Sequence, residues 1–352
     1  MLRTLIGILV LAAVGYCQSG RVRPAEKPAP TPRPTLRAPV SLPPAGPPDT
    51  KRAPLPAPTP AANDEEVFRV ESGLVPIPVI VIDENGRALT KLKPEDFHLM
   101  IDGRPADIGD VSRSDSPVRL ALLFDNSSSV AVARDFEIKA ATRFFSRVLR
   151  PEKDLAALYS VATASRLEQP LTNDVSSLIR AISAFPAPMG ATALFDGIVK
   201  AAEYLNEVYG RRVIVIVSDG DDTYSESSLD QVVRALHFSN CQVYVVKTTD
   251  FENYLRTGSR IGNANIRQLA AERRMIEIAN QTGGRVFSPI DEKELDEAFS
   301  RISAELSEQY VLSYYPDPQA EKRGEFRQIE VSVKGRPDLD VRARKGYIAP
   351  RR

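Results

Sequence analysis

The chain has 352 residues, enough for one large domain or two smaller ones with real cores. Its 46 lysines and arginines balance 46 aspartates and glutamates, so no global field recruits nucleic acid or an anionic surface. With only two cysteines and two histidines, a zinc ribbon, a disulfide framework and a histidine-rich metal centre are excluded.

The N-terminus, MLRTLIGILVLAAVGYCQSG, carries Arg3, an apolar run from Leu5 to Val14 and then small residues. Residues 1–17 read as a secretory signal, too short to span a bilayer comfortably. Cys17 is a candidate for lipidation, although Tyr16 stands before it where lipoprotein signals place a small residue. Ordinary cleavage nearby and an uncleaved anchor are the other outcomes. Half of the 28 prolines fall between residues 21 and 63. Residues 18–63 therefore cannot bury enough apolar surface to offset their ordering entropy, and an extended linker is expected. Signal and linker together place the folded part outside the cytoplasm, as a periplasmic, cell-surface or secreted protein. Contact with a membrane is expected only through the N-terminal anchor.

From Val67 to Arg119 the pattern is β: LVPIPVIVID reads as a strand, ENG as a turn, and DFHLMIDGRPADI as a hairpin about an Asp-Gly turn. From Leu120 to about Ser307 strands alternate with amphipathic helices. LALLFD, DLAALYSVA, RRVIVIVSD, CQVYVVKTT and GRVFSP are the strands, and a helix ending at Gly283 and Gly284 is among the helices. This alternation predicts an α/β domain with a doubly wound, mostly parallel sheet at 118–308. The tail is β again in YVLSYYPD, EFRQIEVSVKG and DLDVRARKGYIA. Segments 64–117 and 309–352 are each too short for a domain, about four strands and three. They are expected to form one composite antiparallel β-sandwich with the α/β domain inserted between them.

The strand LALLFD ends in Asp125, Asn126, Ser127, Ser128 and Ser129. A helix cap needs one such residue, and five occur in a row. Gly190 to Thr192 opens a later helix, and Asp219 ends VIVIVSD. At the switch point of a doubly wound sheet these segments converge on one crevice. Asp125, Ser127, Ser129, Thr192 and Asp219 would present oxygen donors only, which suits a hard cation. Mg2+ with retained waters fits best, with Mn2+ or Ca2+ as alternatives.

DNSSS matches the D-x-S-x-S signature of the von Willebrand factor A domain, and Gly190 to Thr192 and Ser218 to Gly220 match its second and third elements. The chain resembles that family, and its flanks, VIDENGRALTKLKPEDFHLMIDGRPADI and QYVLSYYP with RKGYIA, are similar to an acidobacterial branch of it. The resemblance implies a metal-ion-dependent adhesion site. Ser127 and Ser129 would bind metal directly, and Asp125, Thr192 and Asp219 directly or through water. Asp196, one helical turn after Thr192, is a candidate to orient it from behind, or else a solvated helix residue; Asp222 is a further supporting candidate, and with Asp221 it reads as an acidic turn that adds field to the cation. His98 and His237 read as structural, and Cys241 as a small buried apolar residue. No serine has a histidine partner near the crest, and no phosphate loop occurs.

The expected function is an exported binding module without catalytic residues, whose cation captures an Asp or Glu of a protein partner. A metal-assisted hydrolase and an envelope scaffold with a structural metal are the competing readings. The hydrolase needs a general base that the sequence supplies only as the acidic ligands themselves.

Overall fold

The computed structural model of the chain describes residues 74–113, 116–260, 264–317 and 324–349. The expected signal, the proline-rich segment and Cys17 lie outside the described residues.

β1 (Val75–Ile82) is the predicted apolar strand. β2 (Phe97–Ile101) and β3 (Arg104–Ala106) form the predicted hairpin, with β4 (Asp110–Arg113) after it. Asp102 and Gly103 make its turn at φ 48° and 72°. Two left-handed residues match the strand twist of a two-residue hairpin, which is why Asp-Gly signals one.

β5 (Val118–Asp125) is buried along its length except at Arg119. Leu120, Leu122 and Phe124 pack into one helical layer, and Ala121 and Leu123 into the other, as the two-residue strand period demands. The chain continues through α1 (Arg134–Val148), β6 (Leu155–Val161), β7 (Arg166–Thr172), α2 (Val175–Ser183), α3 (Leu194–Asn206) and β8 (Arg211–Ser218). Then come α4 (Leu229–Ser239), β9 (Gln242–Lys247), α5 (Thr249–Thr257), α6 (Ile266–Thr282), β10 (Arg285–Phe287) and α7 (Glu292–Glu308). The six-stranded sheet has the order β10-β9-β8-β5-β6-β7 and is parallel except for β7. β7 lies outside the strands that the sequence singles out: RLEQPLT has no apolar run, and Pro170 fits an edge strand. Helices α1, α2 and α7 cover one face, and α3, α4 and α6 the other. Burying a Leu or Phe in such a layer stabilises the fold by about 1.5–3 kcal/mol. α6 stops at Gly283, φ 75°, as its Gly-Gly end predicts. β5 lies between β6 and β8, so the chain leaves it in one direction and returns on the other side. That is a switch point, and it aims the loops after β5 and β8 at one crevice.

After α7 come β11 (Tyr310–Tyr314), β12 (Phe326–Val333), β13 (Asp340–Ala343) and β14 (Gly346–Ile348). Two four-stranded antiparallel sheets result, β13-β1-β11-β4 and β14-β12-β2-β3. Each mixes strands from before and after the α/β domain. Their facing sides share one core that includes Ile77, Leu99, Tyr310, Ile329 and Tyr347. DLDVRARKGYIA, expected as one strand, forms two in different sheets, so the sandwich has eight strands rather than seven. The break falls at Arg344, whose buried guanidinium donates to the Pro76 carbonyl at 2.8 Å and to the Asn240 side chain. His237 is buried, with Nδ1 3.0 Å from the Gly346 carbonyl and Nε2 3.3 Å from Gln281 Oε1. It joins the α/β domain to β14, the structural role expected of it. Cys241 is buried, and burial pushes its thiol up to about 12.

Candidate functional site

The carboxyl ends of β5 and β8 are adjacent, with Phe124 opposite Val217. Asp125, the last residue of β5, is buried. Its Oδ1 accepts from the Ser127 N–H at 2.9 Å, and its Oδ2 from the Ser218 hydroxyl at 2.5 Å. The Ser127 and Ser129 hydroxyl oxygens are 3.0 Å apart. Asp219 follows β8, accepts from the Asp221 N–H at 2.9 Å and is supported by the Ser129 hydroxyl. Four of the five predicted ligand residues thus meet through their side chains.

Thr192, the fifth, is buried and reaches the others through its loop. The Ser128 N–H donates to the Gly190 carbonyl at 3.1 Å, and the Met189 N–H to the Asn126 carbonyl at 3.0 Å. The Thr223 and Tyr224 N–H groups donate to the Thr192 carbonyl at 2.9 and 3.0 Å. The three loops are laced by backbone bonds, which fixes the donors before any ligand arrives. Gly190 sits at φ 82°, and a Cβ there would lie 2.5 Å from Thr163 Oγ1. Both backbone and space require glycine.

Each acidic neighbour is placed by its own hydrogen bonds or ion pairs. Asp222 Oδ1 accepts from the N–H groups of Leu194 and Phe195 at 2.8 and 3.1 Å. It caps α3 directly after Thr192 and so holds the Thr192 loop from behind. Asp196 accepts from the Glu226 and Ser227 N–H groups at 3.1 and 2.9 Å. It therefore orders the loop after β8 rather than orienting Thr192. Asp221 forms ion pairs with Arg267 and Arg274, and its negative charge also raises Asp219, so it adds to the field in the crevice as the acidic turn predicts.

Burial, then the like charge of Asp219, pushes Asp125 up to about 7. Burial also raises Asp219. Two further carboxylates share this region, and the sequence reading placed neither. Glu137 on α1 is raised well above the usual range by burial first, then by Asp125, with the Thr248 hydroxyl opposing and Glu252 adding. Glu252 on α5 is raised to about 8 by burial, Asp219 and Asp125. Glu137 had a signal: it stands three, four and seven residues before Ala140, Ala141 and Phe144, on the apolar stripe of its helix. A crevice of about 230 Å³ opens beside the site, lined by Ser129, Asp219, Asp221, Glu252, Asn265 and Arg267 among others.

The donors fit a hard divalent cation. Neither Asp125 nor Asp219 makes an ion pair among the described residues, and a cation between them would remove the repulsion that holds a proton on the pair. Hydroxyls supply the remaining oxygens. Among the described residues no group of three or more His, Cys, Asp and Glu side chains is placed to hold a metal.

A family model described as von Willebrand factor type A domain matches residues 120–301. No curated protein matches the chain. Among solved structures, BatB of Bacteroides thetaiotaomicron is similar at 17% identity and a TM-score of 0.40, over 54% of this chain and 98% of that one. An aerotolerance-related membrane protein of Bacteroides fragilis is similar at 20% and 0.41, over 54% and 98%. The PilB minor pilin of Streptococcus sanguinis is similar at 14% and 0.41; 56% of this chain spans 63% of the pilin. The family match does not extend to the flanking β segments that carry the resemblance to the acidobacterial branch. Among the described residues no helix is long and apolar enough to cross a membrane.

Proposed function

The chain belongs to the von Willebrand factor type A domain family, and from that premise we propose that it is an exported, cation-dependent protein-binding module. Domains of this family are commonly interaction modules. Asp125, Ser127, Ser129, Thr192 and Asp219 would hold one Mg2+, or Mn2+ or Ca2+ in its place. The cation supplies positive charge with an open position, and an Asp or Glu side chain of the partner fills it. The observation that carries this reading is the burial of Asp125 beside Asp219, hydrogen-bonded by serine hydroxyls and with no ion pair to either carboxylate among the described residues.

The surface around the crest supports a protein partner. Val132, Met189 and Tyr224 are 69%, 65% and 61% exposed, one on each of the three laced loops. Single exposed apolar residues are ordinary, but three around one polar centre make an apolar rim for side chains that flank the captured carboxylate. Export rests on the N-terminal signal pattern and on the proline-rich linker that follows it.

Calorimetry of the full chain with Mg2+ and Mn2+ tests the site: binding is expected, and Asp125→Ala should abolish binding at these five residues. A pull-down from envelope extract with and without EDTA tests the partner. Cation-independent capture, or none, would leave the module reading without support. Glu252 favours the hydrolase reading in one respect, because it brings a carboxylate beside the crevice as a base. At about 8 it is protonated near neutral pH without the cation, and turnover that rises with Glu252 ionisation would distinguish that reading.

A further inference from the structure

Beneath the crest, Glu137 is 0% exposed, and neither of its carboxylate oxygens has a hydrogen-bond partner. Thr248, also 0% exposed, has an unpartnered Oγ1, and the buried Oε1 of Glu252 is unpartnered too. These four oxygens belong to one place. Phe136 and Phe251 stack with ring centroids 3.8 Å apart, which sets their chain neighbours Glu137 and Glu252 on facing helices. Thr248 lies between the sheet and α5: its N–H donates to the Ser218 carbonyl at 3.0 Å, and its carbonyl accepts from the Glu252 N–H at 3.1 Å. Its hydroxyl is near enough to Glu137 to act on that carboxyl, although the two make no well-formed hydrogen bond.

Buried oxygens without partners cost free energy, and buried carboxylates cost more. No Lys or Arg among the described residues forms an ion pair with either glutamate. Arg134 is engaged by Asn126 Oδ1 at 2.6 Å, and Arg256 by Asn253 Oδ1 at 2.8 Å. One divalent cation at the outer site balances Asp125 and Asp219, and Asp221 is balanced by Arg267 and Arg274. Glu137 and Glu252 are left without an ion-pair partner among the described residues, and their buried oxygens without a hydrogen bond.

We propose that Glu137, Thr248 and Glu252 hold a second divalent cation beneath the adhesion-type site. The ion is Ca2+ in preference to Mg2+. Two carboxylates and a hydroxyl offer oxygens only, in an irregular arrangement, and Ca2+ accepts such sets and sheds its water more readily. The crevice beside Glu252 is the way in for the ion and for the waters that complete its shell. The inner site depends on the proposed outer site only in the charge balance. It would back the Asp125 and Asp219 loops with a fixed positive charge and lock α1 against α5.

The test is equilibrium dialysis of the full chain against Ca2+ and Mn2+ near neutral pH. Two ions per chain are expected for the wild type and one for Glu137→Gln. Thr248→Val, in which the carboxylates stay, should also retain one, so that a misfolded Glu137→Gln does not decide the matter. Ser129→Ala and Thr192→Ala should remove only the outer ion. One ion in the wild type, kept by Glu137→Gln and lost in Ser129→Ala, would overturn the inner site and leave the outer one standing; protons or waters would then fill the space. One ion lost by Glu137→Gln and kept by Ser129→Ala would do the opposite. No bound ion in the wild type would overturn both.

Discussion

Phe136 and Phe251 lie with their ring centroids 3.8 Å apart and their planes 10° apart, so α1 and α5 meet through a stacked aromatic pair directly under the loops of the site. Phe136 is buried and belongs to the core that covers one face of the sheet. Truncating it should destabilise the protein by about 3 kcal/mol, the usual cost of a buried aromatic. Urea unfolding of Phe136→Ala measures it. A loss below about 1 kcal/mol would show that α5 is not clamped by this contact.

In chelator, stability should decline as pH rises. Asp125 titrates near 3.8 and Glu252 near 4.5 when unfolded, but the fold raises them to about 7 and about 8. Between those values the folded state binds more protons than the unfolded one, so unfolding becomes easier with each step up in pH. The decline should run from about pH 4 to about pH 8, with Glu137 and Asp219 contributing in the same direction. Unfolding midpoints in EDTA at about pH 5.5 and about pH 8 test this. A higher midpoint at pH 8 contradicts it. Saturating Mg2+ should lessen the decline, because the cation favours the ionised Asp125–Asp219 pair.

Glu137→Gln should flatten that slope. The amide keeps the shape and removes a charge whose folded-state burial opposes ionisation. In EDTA near pH 8 the variant is expected to unfold at higher urea than the wild type. Equal midpoints would mean that Glu137 has found a partner in solution.

Asp154 carries the opposite sign. Burial works against its charge, but hydrogen bonds from Arg150 and from the Val118 N–H hold its carboxyl below the usual range. The contacts are 2.7 Å to Arg150 Nε and 2.8 Å to the Val118 N–H. Its contribution is complete above about pH 4 and lost as pH falls through the depressed value. Asp154→Ala leaves the first N–H of β5 unpaired in a buried site and should cost about 3 kcal/mol by urea denaturation near pH 7. A change within about 0.5 kcal/mol would assign Asp154 to the surface in effect.

Ending the chain just before Tyr310 should unfold the β-sandwich from both sides. β1 has β11 on one flank and β13 on the other, and β2 loses β12. Hydrogen exchange in Val75–Ile82 should therefore collapse to the rate of free chain. Retained protection there would show that the N-terminal strands hold a core of their own.

The sequence by itself determined the crest, because a buried strand leaves no room for a polar run except at its end. The apolar run of β5 fixed where Asp125 would emerge, and the second and third elements singled out Thr192 before a helix and Asp219 after a strand. The composite sandwich was legible as well, since neither β segment has enough apolar residues to close a core. Tertiary structure alone decided the rest. Asp222, Asp196 and Asp221 are alike in a sequence, and only the positions of α3, the loop after β8 and α6 make them a helix cap, a loop brace and an ion-pair partner. RLEQPLT became a strand because β6 offered it an open edge, which local pattern does not record. DLDVRARKGYIA divided at Arg344 because the two sheets lie on either side of it. Glu137 and Glu252 are 115 residues apart in the chain, and a glutamate on a helix ordinarily faces water. Their meeting under Asp125 depends on α1 packing against α5 through Phe136 and Phe251, a long-range contact with no trace in either segment alone.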